Sequence, residues 1–211
     1  MKILEMRPGA YDQRMDKVSR GRVREVKEAV AEEVPVGSHV LEIGCGTGEL
    51  ASLIITRNCK VEGFDLNPAM VEACQNRIND ENLTSKFSVS QMGVDGMDHL
   101  PAERFDAVVS TLVFSELSDD ERRFALKHAV RILKPGGRLI IADEVIAMTG
   151  GRRLAQNLVR LPLTAVTFLV SSRVTRPIKD LTEEMKAEGL TILKEKRSHG
   201  DAFTIAAAVK E

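Results

Sequence analysis

Three glycines at alternate positions are the strongest chemical signal in this sequence. They lie at the end of the segment Val40-Leu41-Glu42-Ile43-Gly44-Cys45-Gly46-Thr47-Gly48. The residues before them form a short apolar run that is typical of a buried strand. Glycine lets the chain turn sharply and lets a ligand lie directly against the backbone. The free N–H groups at the start of the helix expected next favour an anionic group such as a carboxylate. The spacing therefore predicts a small-molecule site at a strand-to-helix turn.

The glycine spacing differs from that of two common nucleotide-binding loops. A dinucleotide-binding fold uses the pattern G-x-G-x-x-G, whereas here Gly48 comes one residue early and Glu49 occupies the expected position. The segment has no Gly-Lys-Ser/Thr ending, which excludes a phosphate-binding P-loop. An oxidoreductase that uses a nicotinamide cofactor is therefore disfavoured. An ordinary strand-to-helix turn without a ligand is the alternative interpretation of the glycines.

Asp65 is the second candidate for binding chemistry. It directly follows the strand-like segment Lys-Val-Glu-Gly-Phe at residues 60–64 and lies 21 residues after Gly44. A carboxylate at the end of a second strand can accept hydrogen bonds from both ribose hydroxyls of an adenosine. Taken alone, Asp65 is equally consistent with an ordinary acidic surface residue. Together with the glycine segment it favours a nucleoside-containing ligand.

In combination, these segments resemble the class I S-adenosylmethionine-dependent methyltransferases. The resemblance extends from Tyr11 to Asp143 and includes Phe-Asp-Leu-Asn-Pro-Ala-Met at 64–70, Phe-Asp-Ala-Val-Val-Ser at 105–110 and Leu-Lys-Pro-Gly-Gly at 133–137. It implies an enzyme that uses S-adenosylmethionine on a Rossmann-like domain. It also implies cofactor contacts from Glu42 near the methionine moiety, from Gly44, Cys45, Gly46 and Gly48 in the loop, from Asp65 at the ribose, and from Leu66 and Met70 beside the adenine.

The adenine amino group is where the sequence departs from the family pattern. The family usually places an acidic residue in a Gly-Asp-Ala element just before Leu-Pro, whereas this chain has Gln-Met-Gly-Val-Asp-Gly-Met-Asp-His-Leu-Pro at 91–101. Asp95, Asp98 or a backbone group near Gly93 and Val94 are the alternatives for this contact. We also expect Tyr11, the only tyrosine, and Thr111 to line the site.

Three further segments resemble a narrower group, the small methyltransferases associated with corrinoid proteins in anaerobes. They are Tyr11-Asp12, the run at 110–117 and Ile-Ala-Asp-Glu-Val at 141–145. The expected acceptor is then a small molecule or a component of a corrinoid system. Quinone-type or lipid-type methyl transfer is one alternative, and an accessory module that binds the cofactor without turnover is another.

Alternating strand-like and helix-like segments predict an α/β fold. Strands are expected at 39–43, 60–64, 86–91, 107–113 and 138–143, and an amphipathic helix is expected over 14–34. Such alternation favours a mostly parallel sheet. The last two expected strands are Thr-Ile-Leu-Lys-Glu-Lys-Arg and Ala-Phe-Thr-Ile-Ala-Ala-Ala-Val-Lys. Because only the short connection His199-Gly200-Asp201 separates them, we expect them to form an antiparallel pair. We expect one methyltransferase-type domain, residues 1–211, with a seven-stranded sheet.

Residues 149–178 interrupt this order with five arginines among apolar residues. Because an insertion after the fifth strand lies at the carboxyl end of the sheet, we interpret it as a lid-like insertion over the substrate pocket. A plain packing helix is one alternative, and a basic amphipathic element that contacts a membrane surface or a corrinoid protein is another. No catalytic group stands out, and the candidate bases are Glu116, His128, Asp143 and His199.

The composition of the chain limits the kinds of molecule that it is expected to bind. The 211 residues have a formal net charge of −1, which gives no bulk attraction to nucleic acid. Three cysteines without C-x-x-C spacing and four scattered histidines predict neither a disulfide framework nor a metal site. The sequence shows no signal-peptide pattern and no uninterrupted apolar membrane span. We therefore expect a cytoplasmic protein that binds small molecules and no nucleic acid.

Overall fold

The fold centres on a seven-stranded sheet. The computed structural model describes Asp12, Asp16, Lys17, Ser19 and residues 21–146, 176–198 and 203–211. The strands are β1 (His39–Ile43), β2 (Lys60–Asp65), β3 (Phe87–Gln91), β4 (Phe105–Thr111), β5 (Leu133–Glu144), β6 (Leu190–Ser198) and β7 (Phe203–Lys210). The helices are α1 (Arg22–Glu33), α2 (Glu49–Ile55), α3 (Pro68–Asp80), α4 (Asp119–Ile132) and α5 (Leu181–Ala187), with 3₁₀ turns at Val94–His99 and Phe114–Glu116.

The strand order is β3-β2-β1-β4-β5-β7-β6. The first five strands pair in parallel, whereas β7 pairs antiparallel with both β5 and β6. This confirms the predicted mostly parallel sheet with an antiparallel C-terminal pair. The order reverses between β1 and β4, and ligands of open α/β sheets bind beyond the carboxyl ends of the strands at such a point.

Helices cover both faces of the sheet because successive strand residues point to opposite sides. In β4, Val108 faces a core built with α4 and α5, and Val109 faces a core built with the first three helices. Leu126 and Met185 belong to the first core, and Ile54 belongs to the second. Both faces are buried, which explains why these strands read as continuous apolar runs.

Two helix starts follow local sequence signals. Asn67 caps α3 by accepting a hydrogen bond from the backbone N–H of Ala69 at 3.0 Å, and Pro68 occupies the first helical position. Ser118 caps α4 in a capping box with Glu121. These contacts fix the starts of the two helices at the carboxyl edge of the sheet.

Two expected boundaries differ in the structure. The helix expected over 14–34 does not run unbroken, because Gly21 has the left-handed φ of 80° and α1 begins at Arg22. The fifth strand, expected at 138–143, begins earlier, at Leu133. Its pairing with β4 passes from Leu133 to Arg138 through a register shift, so residues 134–137 bulge out of the ladder.

The chain on either side of residues 147–175 meets at the carboxyl end of β5. Val145 forms a parallel bridge with Ile178, and the N–H of Ile146 donates to the carbonyl of Ile178 at 2.9 Å. Nearly all of the lid-like insertion predicted at 149–178 lies outside the described residues, as do Tyr11 and the 199–201 connection. Among the helices in the described ranges, none is long and apolar enough to cross a membrane.

Candidate functional site

The glycine loop leaves an open space beside its central residue. Gly44, Gly46 and Gly48 all lie in the left-handed region, with φ of 67°, 53° and 80°. A Cβ added at Gly44 would come within 2.4 Å of the Val113 side chain, so that position is packed against protein. A Cβ added at Gly46 would meet no heavy atom within 4 Å. The backbone at Gly46 is therefore accessible to a ligand.

Asp65 ends β2 beside this loop, and its carboxylate is held in a fixed orientation. Oδ2 accepts a hydrogen bond from the N–H of Gly46 at 3.0 Å, and Oδ1 accepts one from the N–H of Asn67 at 2.8 Å. Burial raises the pKa of Asp65, and these two N–H donors oppose the increase. Each oxygen keeps further acceptor capacity, so the group fits the vicinal hydroxyls of a ribose.

Glu42 is the buried acid of the site. Its residue is 2% exposed, and Oε2 has no hydrogen-bond partner among the described residues. Burial raises the pKa of Glu42 to about 8, and the nearby charge of Lys27 opposes that increase. A buried acceptor without a partner costs about 1–3 kcal/mol. A ligand that donates a hydrogen bond or carries an ammonium group would remove this cost, so Glu42 fits the amino-acid part of S-adenosylmethionine.

The candidates for the adenine region lie beyond the ends of β2 and β3. Leu66 is 55% exposed directly after Asp65, and the N–H of Met92 donates to the carbonyl of Asp65 at 3.1 Å. A Cβ on Gly93 would lie 3.5 Å from Leu66 and 2.3 Å from Oδ1 of Asp95. The structure therefore brings Leu66, Gly93 and Asp95 together.

The remaining adenine candidates are placed less uniformly. Met70 is half-buried in the first turn of α3, and Val94 begins the 3₁₀ turn that follows Gly93. Asp98 lies at the other end of that turn, where its carbonyl accepts a hydrogen bond from Arg131 of α4 at 3.1 Å. Among the alternatives for the adenine amino group, the structure thus places Gly93, with Asp95 beside it, next to Leu66.

The carboxyl end of β4 carries a strained residue that sequence reasoning missed. Thr111 ends the strand half-buried, and Leu112 follows with φ of 60°, while its N–H donates to the carbonyl of Ala142 at 2.9 Å. A left-handed conformation costs a leucine about 1–2 kcal/mol. Such strain concentrates at functional sites, but a leucine gives no sequence signal for it.

The candidate bases occupy different places. Asp143 is fully buried at the end of β5, where Oδ2 accepts from the N–H of Ser115 at 3.1 Å, and burial raises its pKa to about 6. Glu116 lies half-buried in the adjacent 3₁₀ turn. His128 lies on α4, stacked on Phe124 with 4.2 Å between ring centroids. The fourth candidate, His199, is outside the described residues, so Asp143 and Glu116 are the two placed at the carboxyl edge.

The described residues offer no group of three histidine, cysteine or acidic side chains arranged to hold a metal. Cys45, Cys59 and Cys74 are all buried and free. Cys45 lies in the glycine loop, where its N–H donates to the carbonyl of Phe64 at 2.9 Å. The backbone of Cys45 therefore joins the loop to β2.

Comparison with known proteins finds similarity to methyltransferases. Residues 40–137 match the model of a family described as a methyltransferase domain. An uncharacterized methyltransferase of Bacillus velezensis is 31% identical over 109 residues, which are 52% of this chain and 48% of that protein. A ubiquinone biosynthesis O-methyltransferase of Coxiella burnetii is 26% identical over 106 residues, or 50% and 43% of the two chains. The chain thus spans about half the length of the curated relatives it matches.

A solved structure shares the fold. The crystal structure of a SAM-dependent methyltransferase from Aquifex aeolicus aligns with a TM-score of 0.64 and 18% identity, covering 88% of this chain and 89% of that one. The family match covers the glycine loop, Asp65 and the strand ends that surround them. The part of the chain that carries this site is therefore similar to methyltransferase domains.

Proposed function

We propose that this protein transfers a methyl group from S-adenosylmethionine to a small-molecule acceptor. The observation that carries the proposal is the arrangement at the end of β1 and β2. There the open backbone at Gly46 adjoins the oriented carboxylate of Asp65, and Glu42 carries a buried oxygen without a partner among the described residues. These groups match the adenosine and amino-acid parts of one ligand.

Each group has a distinct binding role in this proposal. Asp65 accepts hydrogen bonds from the ribose hydroxyls, and Glu42 accepts one from the ammonium group. Leu66 and Met70 supply apolar contact to the adenine, and the 93–95 segment supplies polar contact to its edge. When bound, the cofactor supplies a methyl group already activated on a sulfonium, so transfer depends largely on proximity and alignment.

The acceptor is proposed to be a small molecule or a corrinoid-system component. Support comes from the resemblance of the segments at 110–117 and 141–145 to the corrinoid-associated group, and both segments lie at the carboxyl edge of the sheet. Contact with a corrinoid protein or a membrane surface through 149–178 is part of this proposal, and binding of nucleic acid is not. A cytoplasmic location is also proposed, in keeping with the three free buried cysteines.

A quinone-type acceptor is the second candidate. It is favoured by the similarity to the ubiquinone biosynthesis O-methyltransferase, which extends over half of this chain. An accessory module that binds the cofactor without turnover shares the same binding residues, so binding alone does not separate it from an enzyme.

One experiment with two stages tests these proposals. Calorimetric titration with S-adenosylhomocysteine and, separately, NAD should give binding only with the first ligand. Methyl-labelled S-adenosylmethionine is then incubated with the protein and either cob(I)alamin or a catechol-type quinone precursor. Label transfer to one acceptor identifies its class. Tight binding with no transfer to either would favour the accessory module, and no binding of S-adenosylhomocysteine would refute the cofactor assignment.

A further inference from the structure

Asp12, Thr47 and Arg77 form a closed set of contacts at the glycine loop. The hydroxyl of Thr47 donates to Oδ1 of Asp12 at 2.7 Å, and the guanidinium of Arg77 forms an ion pair with Oδ2. Nε of Arg77 also donates to the carbonyl oxygen of Thr47 at 2.8 Å. Each residue therefore contacts both of the others, although Asp12 and Arg77 lie 65 positions apart in the sequence.

This set of contacts holds the loop at the residue next to the one that Asp65 holds. Thr47 lies between Gly46 and Gly48, which both have left-handed φ, and Thr47 itself is 3% exposed. Asp65 fixes the N–H of Gly46, while Asp12 and Arg77 fix the side chain and the carbonyl of Thr47. Two consecutive loop residues are thus held by groups from separate parts of the chain.

We infer that Asp12 is a positioning residue, which holds the glycine loop in the shape that binds the cofactor. It acts through Thr47 and Arg77 and does not need to touch the ligand. The inference rests on the proposed cofactor function. A glycine-rich loop has many accessible conformations, and a loop ordered before binding loses less entropy when the ligand arrives.

The burial of the ion pair supports a role beyond a surface contact. The side chains of Asp12 and Arg77 are 13% and 18% exposed, whereas the pair between Arg24 and Glu28 on α1 is 62% and 48% exposed. Partly buried charges are screened less by solvent and salt than exposed ones. The Arg24–Glu28 pair therefore provides a matched control in a neighbouring element.

A simple tether is the competing explanation. In that case Asp12 only attaches the chain before α1 to α3, and its loss lowers the melting temperature without changing cofactor affinity. A positioning role instead requires that loop order and ligand binding change together. The two explanations differ in the dissociation constant and in the exchange of loop amides, not in stability.

The first test measures affinity for S-adenosylhomocysteine by calorimetry. Asp12→Asn keeps an oxygen that can accept from Thr47 but removes the charge that Arg77 pairs with, and Thr47→Val removes the hydroxyl. We expect each variant to bind S-adenosylhomocysteine about fivefold more weakly or worse.

Two further variants serve as controls. Thr47→Ser keeps a hydroxyl and Glu28→Gln changes only the exposed pair, so the dissociation constants of both should stay within about twofold of that of the original protein. The double variant Asp12→Asn/Thr47→Val should lose less than the product of the single losses, because the two residues act through one contact.

The second test needs no ligand. Hydrogen exchange of the Gly46, Thr47 and Gly48 amides should be faster in Asp12→Asn than in the original protein or Glu28→Gln. Unchanged exchange together with an unchanged dissociation constant would overturn the inference, as would a lower melting temperature with normal affinity. If the original protein fails to bind S-adenosylhomocysteine, the cofactor proposal falls and the cofactor role of Asp12 falls with it. The exchange data would then still report whether Asp12 orders the loop.

Discussion

The carboxylate of Asp65 accepts a hydrogen bond from the backbone N–H of Gly46, with 3.0 Å between the two atoms. Because the N–H of Cys45 also donates to the carbonyl of Phe64 at 2.9 Å, the glycine loop and the end of β2 form one unit. Asp65 thus shapes the loop, and in the proposed function it also presents acceptor oxygens to a ribose. Substitution of this residue should affect both.

Asp65→Ala should weaken the binding of S-adenosylhomocysteine about tenfold or more, because charge-assisted hydrogen bonds contribute about 1.5–3 kcal/mol each. The dissociation constant is measured by calorimetry on protein whose folding is verified by circular dichroism. Asp98→Asn is the matched control, since Asp98 lies at the α4 side of the 3₁₀ turn and its carbonyl is bound by Arg131. An unchanged dissociation constant in Asp65→Ala would show that other residues hold the ribose. A large loss of affinity in Asp98→Asn would instead assign the adenine contact to Asp98.

Gly46→Ala should separate backbone strain from blocked ligand space. Gly46 and Gly136 both have left-handed φ, 53° and 76°, and an added Cβ meets no heavy atom within 4 Å at either position. Each alanine should therefore destabilise the fold by a similar amount, about 1–2 kcal/mol. Only Gly46→Ala should also weaken S-adenosylhomocysteine binding, because Gly136 lies in the irregular start of β5. Gly46→Val should be at least as harmful.

The comparison is read from urea unfolding and calorimetry on the same preparations. Equal stability losses with affinity reduced only at Gly46 would support direct approach of the ligand to this backbone. If both variants bind normally, the open space beside Gly46 is not used by the cofactor.

S-adenosylhomocysteine should raise the melting temperature of the protein. A ligand that binds only the native state at ~100 times its dissociation constant adds about 2.7 kcal/mol to the free energy of unfolding. Differential scanning calorimetry measures the shift, with NAD at the same concentration as the negative control. The protein is first unfolded, dialysed and refolded to remove any ligand already bound. A shift with NAD equal to that with S-adenosylhomocysteine would argue against a specific adenosyl-amino-acid site.

The sequence predicts those parts of the site that depend on local chemistry. The glycine spacing and the Asn67-Pro68 helix start require particular residue types at particular positions, and alternating strands and helices specify the mostly parallel sheet. The left-handed φ of Leu112 could not be predicted, because tertiary contacts impose it against the preference of the residue. The contact of Asp12 with Arg77 is equally hidden, since it joins side chains 65 positions apart. The start of β5 at Leu133 could not be predicted either, because residues 134–137 contain a proline and two glycines and enter the strand as an irregularity in its pairing with β4.

Glu42 should make both stability and cofactor affinity depend on pH, in opposite directions. Burial raises its pKa from 4.5 to about 8 in the folded protein, so the folded state favours the protonated acid. This contribution to stability is fully present below pH 4.5 and is lost as pH rises toward 8. The charges around it are Lys27 on α1, Asp65 on β2 and Arg77 on α3; Lys27 and Arg77 lower its pKa and Asp65 raises it.

Glu42→Gln should therefore become more stable relative to the original protein as pH rises from about 5 to 8.5. The affinity of the original protein for the ligand should instead increase as pH rises, because an ammonium group on the ligand favours the carboxylate form of Glu42. In the original protein, S-adenosylhomocysteine should bind more tightly from pH 6 to pH 8, by at most about tenfold per pH unit, and should release protons from Glu42 on binding. Calorimetry at pH 6, 7 and 8 in two buffers of different ionisation enthalpy measures the dissociation constant and the number of protons released.

The affinity of Glu42→Gln for S-adenosylhomocysteine should depend little on pH, and the exposed Glu72→Gln on α3 should behave like the original protein. Proton release that persists in Glu42→Gln would assign the linkage to another group, and pH-independent binding in the original protein would show that Glu42 does not meet the ligand's ammonium group.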